Sequence, residues 1–188
     1  MIEQIIEWDK DLFLELNSLH ISWLDDAMVA ITGNFVWLPL YIWMLWLIFQ
    51  NYGKKWWWWL IAIALTVLIS DRFTSGFMKP FFERPRPCHD PEIGYLVHIV
   101  DHCGGAFGFA SSHAANTFGV ATVLFLILKP YTRYIGWVFL WSAIVSYSRI
   151  YLGVHYPLDI VVGAAVGIMG GALSFYLINR LQFRITTS

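Results

Sequence analysis

The chain has 188 residues, 58% of them hydrophobic and only 13% charged, with a formal net charge of −1. A soluble globular domain carries roughly 25% charged residues, so this composition excludes one. It describes instead a single membrane-embedded unit, 1–188, of the all-α class: a polytopic transmembrane helical bundle.

Residues 1–22 open the chain as an amphipathic helix. Ile2, Ile5, Ile6, Leu12, Phe13, Leu16 and Leu19 follow helical spacing, while Glu3, Glu7, Asp11 and Glu15 repeat every four residues on another face. The apolar face has two destinations, the membrane interface or the rest of the protein. An acidic face suits anionic lipid poorly. The segment lacks the basic leader and apolar core of a cleavable signal peptide, so the first span is expected to insert itself.

A helix needs about 20 apolar residues to cross a hydrocarbon core of roughly 30 Å. Five runs qualify, at about 27 or 35 to 50, 56–78, 111–128, 134–148 and 158–178. Gly33, Asn34 and Pro39 interrupt the first, which reads as a bent span or as a short surface helix leading into one. When five spans alternate sides, Lys54, Lys55, Lys129, Arg133, Arg180 and Arg184 share one side, which is cytoplasmic by the positive-inside rule. All 13 acidic residues fall on the other side or at that edge of a span. The run "KKWWWW" (54–59) anchors the inner interface, with aromatic rings beside snorkelling lysines.

Cys88 and Cys103 fall in the long outward loop, where an oxidising exterior permits them to pair. With His89, His98 and His102 they also offer metal-ligating groups, but the spacing matches no usual zinc pattern.

Three outward stretches collect the chemistry: "KPFFERPRP" (79–87), "ASSHAAN" (110–116) and "SRIYLGVHYPLD" (148–159). Each begins or ends a span, so all three can meet at one level of the bundle. In the first, Pro80, Pro85 and Pro87 are expected to end the helix and fold Lys79 and Arg86 back toward the bundle. Arg84 reads as a third cation or as a solvated bystander. In the second, Ser111, Ser112 and His113 open a helix, either as an anion cradle of unpaired N–H groups and hydroxyls or as an ordinary Ser N-cap. In the third, Asp159 lies four residues after His155 at the start of the last helix, with Pro157 in its first turn. That spacing lets the carboxylate take the proton of one imidazole nitrogen and leave the other free to attack. Arg149 precedes His155 by six residues, and Gly153 supplies the reversal between them. A purely structural His–Asp pair accounts for this stretch equally well when it is read alone.

Taken together, the set fits phosphoryl transfer without metal. Cations and a helix start neutralise the phosphoryl oxygens, one histidine attacks phosphorus, and another protonates the leaving oxygen. The loops hold no carboxylate cluster for Mg²⁺, so metal independence is expected, with no cofactor and no nucleic-acid partner. Asp71 and Ser75, eight and four residues before Lys79, share its helical stripe and are placed to steady it, although Asp71 can equally pair with Arg72.

The three blocks fit K-x₆-R-P, resemble P-S-G-H, and fit S-R-x₅-H-x₃-D, in that order. Over 79–159 the chain thus resembles the type 2 phosphatidic acid phosphatase family, which includes integral-membrane lipid phosphatases, undecaprenyl diphosphate phosphatases, glucose-6-phosphatase and vanadium haloperoxidases. The resemblance implies that His155 is a nucleophile forming a phosphohistidine, that Asp159 orients it, and that His113 is the general acid. It further implies that Lys79, Arg86, Arg149, Ser111 and the backbone around Ser112 bind phosphate. Ala110 and Ser112 replace the usual Pro and Gly of the middle block, so the cradle is expected to be shaped differently. Relatives commonly have six spans, whereas five are clear here and 23–34 reads as a degenerate first element.

The implied activity is removal of phosphate from a membrane lipid, with undecaprenyl diphosphate, phosphatidic acid and phosphatidylglycerophosphate foremost and a lipid A phosphate open. A lipid phosphotransferase and a non-catalytic phospholipid binder or transporter are the alternatives. Outward loops place the site on the periplasmic or external side of a bacterial inner membrane. Gly163, Gly167 and Gly171, each four apart, form a close-packing stripe that serves the bundle interior better than a dimer.

Overall fold

The computed structural model describes the backbone of residues 1–187 and the side chains of 1–184. Helices account for its architecture, and the one extended pairing among the described residues is an isolated bridge between Pro85 and Phe107. By length and composition, the continuous helical stretch Phe35–Phe82 and the helix Pro157–Arg184 are apolar enough to cross a membrane, and Ser112–Leu128 is a shorter apolar helix.

Helix α1 (Ile2–Ser18) is followed by α2 (Ser22–Thr32), which ends at Gly33, whose N–H bonds the Val29 and Ala30 carbonyls. The ambiguous first run therefore resolves into two helices, the first ending at Gly33. A 3₁₀ turn leads into α3 (Leu38–Tyr52), where Pro39 occupies the first turn and its missing N–H costs no helical bond. Gly53, at φ +50°, reverses the chain into α4 (Trp56–Asp71). Met44 and Ile48 of α3 line one cavity with Ile63 and Val67 of α4, as an antiparallel hairpin requires.

The second run differs from its expected end. It passes through Pro80 as a π-helical segment (Arg72–Met78) and a last turn, α5 (Lys79–Phe82). The widened segment puts Pro80 in a first turn, where its absent N–H is harmless. The chain leaves the helix at Glu83, in left-handed conformation at φ 46°.

Helices α6 (Ser112–Leu128), α7 (Trp137–Tyr151) and α8 (Pro157–Thr187) complete the fold. The fourth predicted span is shifted: 133–136 is a 3₁₀ turn, and α7 continues to Tyr151. The reversal waits for Gly153 at φ +76°, where any side chain would strike Val97 and the His98 carbonyl. At the other end, α8 runs beyond 178 to Thr187.

Helix α6 lies between α4, α7 and α8 and buries small side chains such as Ala114, Ala115, Gly119 and Ala121. Its seam with α8 is the predicted glycine stripe. A Cβ on Gly163, Gly167 or Gly171 would collide with the backbone carbonyl of Ser111, Ala115 or Gly119 respectively. The stripe is thus consumed inside the bundle, where backbones approach closely.

Helix α1 docks on the outer end through residues four apart, Asp9, Phe13 and Asn17, all buried. Phe13 meets the Tyr156 ring edge-on at 5.3 Å between centroids. Asn17 accepts the His98 N–H at 2.8 Å and donates to the Tyr151 carbonyl at 2.8 Å. Ile2, Ile5, Trp8 and Leu12 stay exposed beside this stripe. A disulfide between Cys88 and Cys103, with Cα atoms 6.1 Å apart, staples the outer loop. His89 lies beside both sulfurs, but sulfurs bonded to each other present no thiolate to a metal.

Replacing Gly167 by Ala forces α6 and α8 apart and is expected to cost about 1–3 kcal/mol, read as a lower thermal midpoint in detergent. Gly76→Ala, with free space around it, is expected to leave that midpoint unchanged or raise it.

Candidate active site

Asp159 sits in the first turn of α8 with 0% exposure, and His155, one turn earlier in the reversal, is 2% exposed. The His155 Nδ1 lies 3.3 Å from Asp159 Oδ2, the same oxygen that accepts the Tyr156 N–H at 3.0 Å. The Asp159 main-chain carbonyl accepts the Ser111 N–H at 3.0 Å, which ties the start of α6 to the start of α8. Burial pushes the His155 imidazole down from its ordinary range to about 4, against the opposing pull of Asp159, with Arg86 and Arg149 adding to the depression. The ring is therefore neutral near pH 7. With its Nδ1 proton directed at Asp159, Nε2 carries the lone pair.

Arg84 is neither a substrate-facing cation nor a bystander, which corrects both readings of the sequence. Its Nη1 donates to Asp159 Oδ1 at 3.0 Å and its Nη2 to Asp9 Oδ2 at 2.7 Å, while the guanidinium lies 4.0 Å over the Tyr156 ring. Its charge is shared between two buried carboxylates. Asp9 also accepts the Leu158 N–H at 2.8 Å, so α1 grips the turn that carries His155. A signal existed in the sequence: Asp9 interrupts the apolar face of α1, and a carboxylate buried there needs a cation. A second tie runs from Lys10 to Asp90 at 3.1 Å, and Asp90 accepts the Tyr156 hydroxyl at 2.8 Å. Burial alone would raise the Asp90 carboxyl, but the Glu92 N–H, the Tyr156 hydroxyl and Lys10 outweigh it and hold it below the usual range.

The cations drawn from the sequence gather around the same histidine. Lys79, Arg86 and Arg149 act electrostatically on one another, and all three act on His113. Lys79 donates to Ser112 Oγ at 3.1 Å, and that oxygen also meets Thr74 at 2.9 Å and Ser75 at 2.8 Å. Ser75 donates in turn to Asp71 at 3.1 Å, so the stripe supports Lys79 as its spacing allows. Arg86 donates to the Val154 carbonyl at 3.3 Å and Arg149 to Thr32 Oγ1 at 2.6 Å, yet the Nε of each is buried without an acceptor.

The two serines divide. Ser111 caps α6 by accepting the Ala114 N–H at 3.4 Å, and its own N–H is bound to Asp159, which leaves its hydroxyl proton as the free donor. The plain N-cap reading holds for that residue. Ser112 and His113 supply the N–H groups of the first turn, which have no partner within the helix. The sequence reading overlooked Gly104 and Gly108. A Cβ at Gly108 would stand 3.1 Å from Asp159 Oδ2 and 3.3 Å from Arg86 Cγ, so glycine lets this loop close tightly over the pair without displacing either side chain. The ring of His113 is exposed toward a cavity shared with Thr32, Asn34, Asn116 and Thr117.

A helical bundle that gathers cations around a buried His–Asp pair, with a second histidine at its edge, is equipped to handle the phosphate of a lipid. Residues 56–183 match the PAP2 superfamily, and the chain belongs to it. It is 40% identical over 190 residues to Lipid A 4'-phosphatase of Bacteroides thetaiotaomicron, an alignment covering 98% of this chain and 83% of the relative. It is 26% identical over 171 residues to undecaprenyl-diphosphatase of Sulfolobus acidocaldarius, covering 88% of this chain and 76% of that one. The crystal structure of LpxE from Aquifex aeolicus superposes with a TM-score of 0.63 at 26% identity, over 88% of this chain and 93% of that one. The protein is accordingly an enzyme, a lipid phosphatase.

Arg84→Gln is expected to lower kcat roughly 10-fold to 100-fold, by analogy with the loss when outer partners of metal-bound histidines are removed, with KM nearly unchanged. Arg84→Lys, which keeps one cation between Asp9 and Asp159, should recover part of the loss in a steady-state phosphate-release assay.

Proposed function

We propose that this enzyme removes the 4'-phosphate of lipid A or a closely related acylated amino-sugar phosphate, through a phosphohistidine on His155 and without metal. The observation that carries the chemistry is the pairing of a neutral, Asp159-oriented imidazole with two guanidinium groups whose buried Nε–H groups lack acceptors. Such orphaned, charged donors match the oxygens of a bound phosphate. The similarity over nearly the whole chain to a lipid A 4'-phosphatase supports the substrate, and moves it ahead of the carrier-lipid and glycerolipid phosphates favoured by sequence reasoning.

In the first half-reaction His155 Nε2 attacks phosphorus, and the bond from phosphorus to the sugar oxygen breaks. His113 gives its proton to that oxygen, so the alcohol leaves neutral. Lys79, Arg86, Arg149 and the first-turn N–H groups of α6 neutralise the three equatorial oxygens as charge shifts toward the leaving group. In the second, water attacks the phosphohistidine, His113 takes the water's proton, and inorganic phosphate departs with His155 restored. Asp159 holds the Nδ1 proton throughout. The Cys88–Cys103 disulfide, in the same loop as Arg86, and the Lys and Arg placement both support an exterior-facing site.

The decisive assay is phosphate release by detergent-purified protein in EDTA from lipid A, undecaprenyl diphosphate, phosphatidic acid and phosphatidylglycerophosphate. Release should survive EDTA, be fastest with lipid A, and fall by several orders of magnitude in His155→Ala. Equal turnover by the variant would sink the phosphohistidine.

The pH profile gives a separate check. Only neutral His155 attacks, and its folded pKa of about 4 lies below the ordinary 6.5. Once corrected for the substrate's own second ionisation and for the protonation of His113, which must carry a proton to act as the acid, kcat/KM should show no acid limb near 6.5 from His155 and lose that residue's contribution only as pH approaches 4. An acid limb near 6.5 would contradict a buried neutral nucleophile.

A further inference from the structure

Two cavities meet beside His113. One, of about 230 Å³, is lined by His113, Thr32, Asn34, Asn116 and Thr117 together with the aromatic residues of α3 and α7. The other, of about 400 Å³, is lined by Met44, Leu45, Ile48, Ile63, Val67 and Leu124, among other residues of α3, α4 and α6. Both are bounded by Asn34, Tyr41, Asn116, Thr117 and Trp141. A polar chamber next to the proposed general acid thus continues into an apolar groove between membrane helices.

Two residues that line both cavities each carry a buried side-chain atom without a hydrogen-bond partner, Asn116 Oδ1 and Trp141 Nε1. Trp141 is only 7% exposed. Each such orphan costs about 1–3 kcal/mol, a penalty that a bound ligand can relieve. One atom is an acceptor and the other a donor. A ligand that answers both must donate and accept, as one carrying a hydroxyl or a secondary amide does. A polyprenyl chain offers neither, and the ester at the root of a glycerolipid chain offers only acceptors. An acylated amino sugar carries amides and hydroxyls where its chains join the ring.

We infer that Asn116 and Trp141 form a recognition site for the amide or hydroxyl at the root of a substrate acyl chain, with the chain lying in the α3–α4–α6 groove. The inference rests on the phosphatase reading above, in which His113 faces the departing alcohol. The pair makes the leaving group, rather than the phosphate, the determinant of specificity. In this arrangement the phosphate site accepts any phosphomonoester that reaches it, and the junction selects those whose alcohol has a hydrogen-bonding shoulder.

The test compares Asn116→Leu, which keeps the bulk of the side chain, and Trp141→Phe, which keeps a ring and removes the N–H. For each, kcat/KM is measured on lipid A and on dioleoyl phosphatidic acid, with hydrolysis of the small soluble substrate p-nitrophenyl phosphate reporting an intact phosphate site. The ratio of kcat/KM for lipid A over phosphatidic acid is expected to fall about tenfold in either variant, the effect of one hydrogen bond in a buried setting. A fall confined to lipid A supports the site. Equal losses on both lipids, or a ratio that does not move, overturn it and leave the two atoms as ordinary wall of the cavity. Failure of wild type to hydrolyse lipid A, while His155-dependent hydrolysis of phosphatidic acid persists, overturns the substrate reading as well.

Discussion

The Asp159 carboxylate is the constraint on which the outer half of the protein turns. A buried charge is tolerated only where partners replace the water it has lost, and here they come from several elements. His155 and the Tyr156 N–H approach Oδ2 from the preceding turn, Arg84 reaches Oδ1 from the outer loop, and Asp9 of α1 completes the chain on the far side of Arg84. The residue's own main-chain carbonyl receives the Ser111 N–H. That last bond exists because α6 and α8 touch backbone to backbone, and they touch because Gly163 has no side chain to hold the Ser111 carbonyl away. Packing of small residues within the bundle and orientation of a histidine at its mouth are therefore one problem.

Cations of the same chemical type serve opposite purposes within a few residues of one another. Arg84 is fully engaged by two carboxylates and an aromatic face, so its charge organises the protein. Arg86, two positions later, keeps an unanswered N–H and faces the histidine, as does Arg149 from α7. This division suits a site that must receive a dianion. Positive charge committed to carboxylates gives structure, and guanidinium groups without a carboxylate partner keep charged donors for an anion. It also accounts for a neutral His155, since burial and two neighbouring guanidiniums together outweigh the carboxylate behind it.

Helix α1 looks like an accessory in the sequence and behaves as part of the site's foundation. Asp9 holds both Arg84 and the first turn of α8, Phe13 packs on Tyr156, and Asn17 satisfies backbone groups at 98 and 151. Lys10 and Asp90 brace Tyr156 from the outer loop. The turn that carries His155 is thus held from the outside by side chains lying far away in the chain. Long-range polar contacts of this kind leave little trace in local periodicity, apart from a carboxylate on an otherwise apolar face.

Local chemistry was enough to read the helical class, the His155 and Asp159 pair and the glycine stripe, because helical spacing and backbone sterics act over a few residues. Pro80 misled for the same reason: its effect depends on the π-helical segment before it, which places Pro80 in a first turn. Which arginine would pair with buried carboxylates, that Ser111 would cap α6, and how closely Gly108 would approach Asp159 were decided only in three dimensions. The first and last depend on partners tens of residues distant, and a sequence lists the side chains without the distances that decide which charges meet.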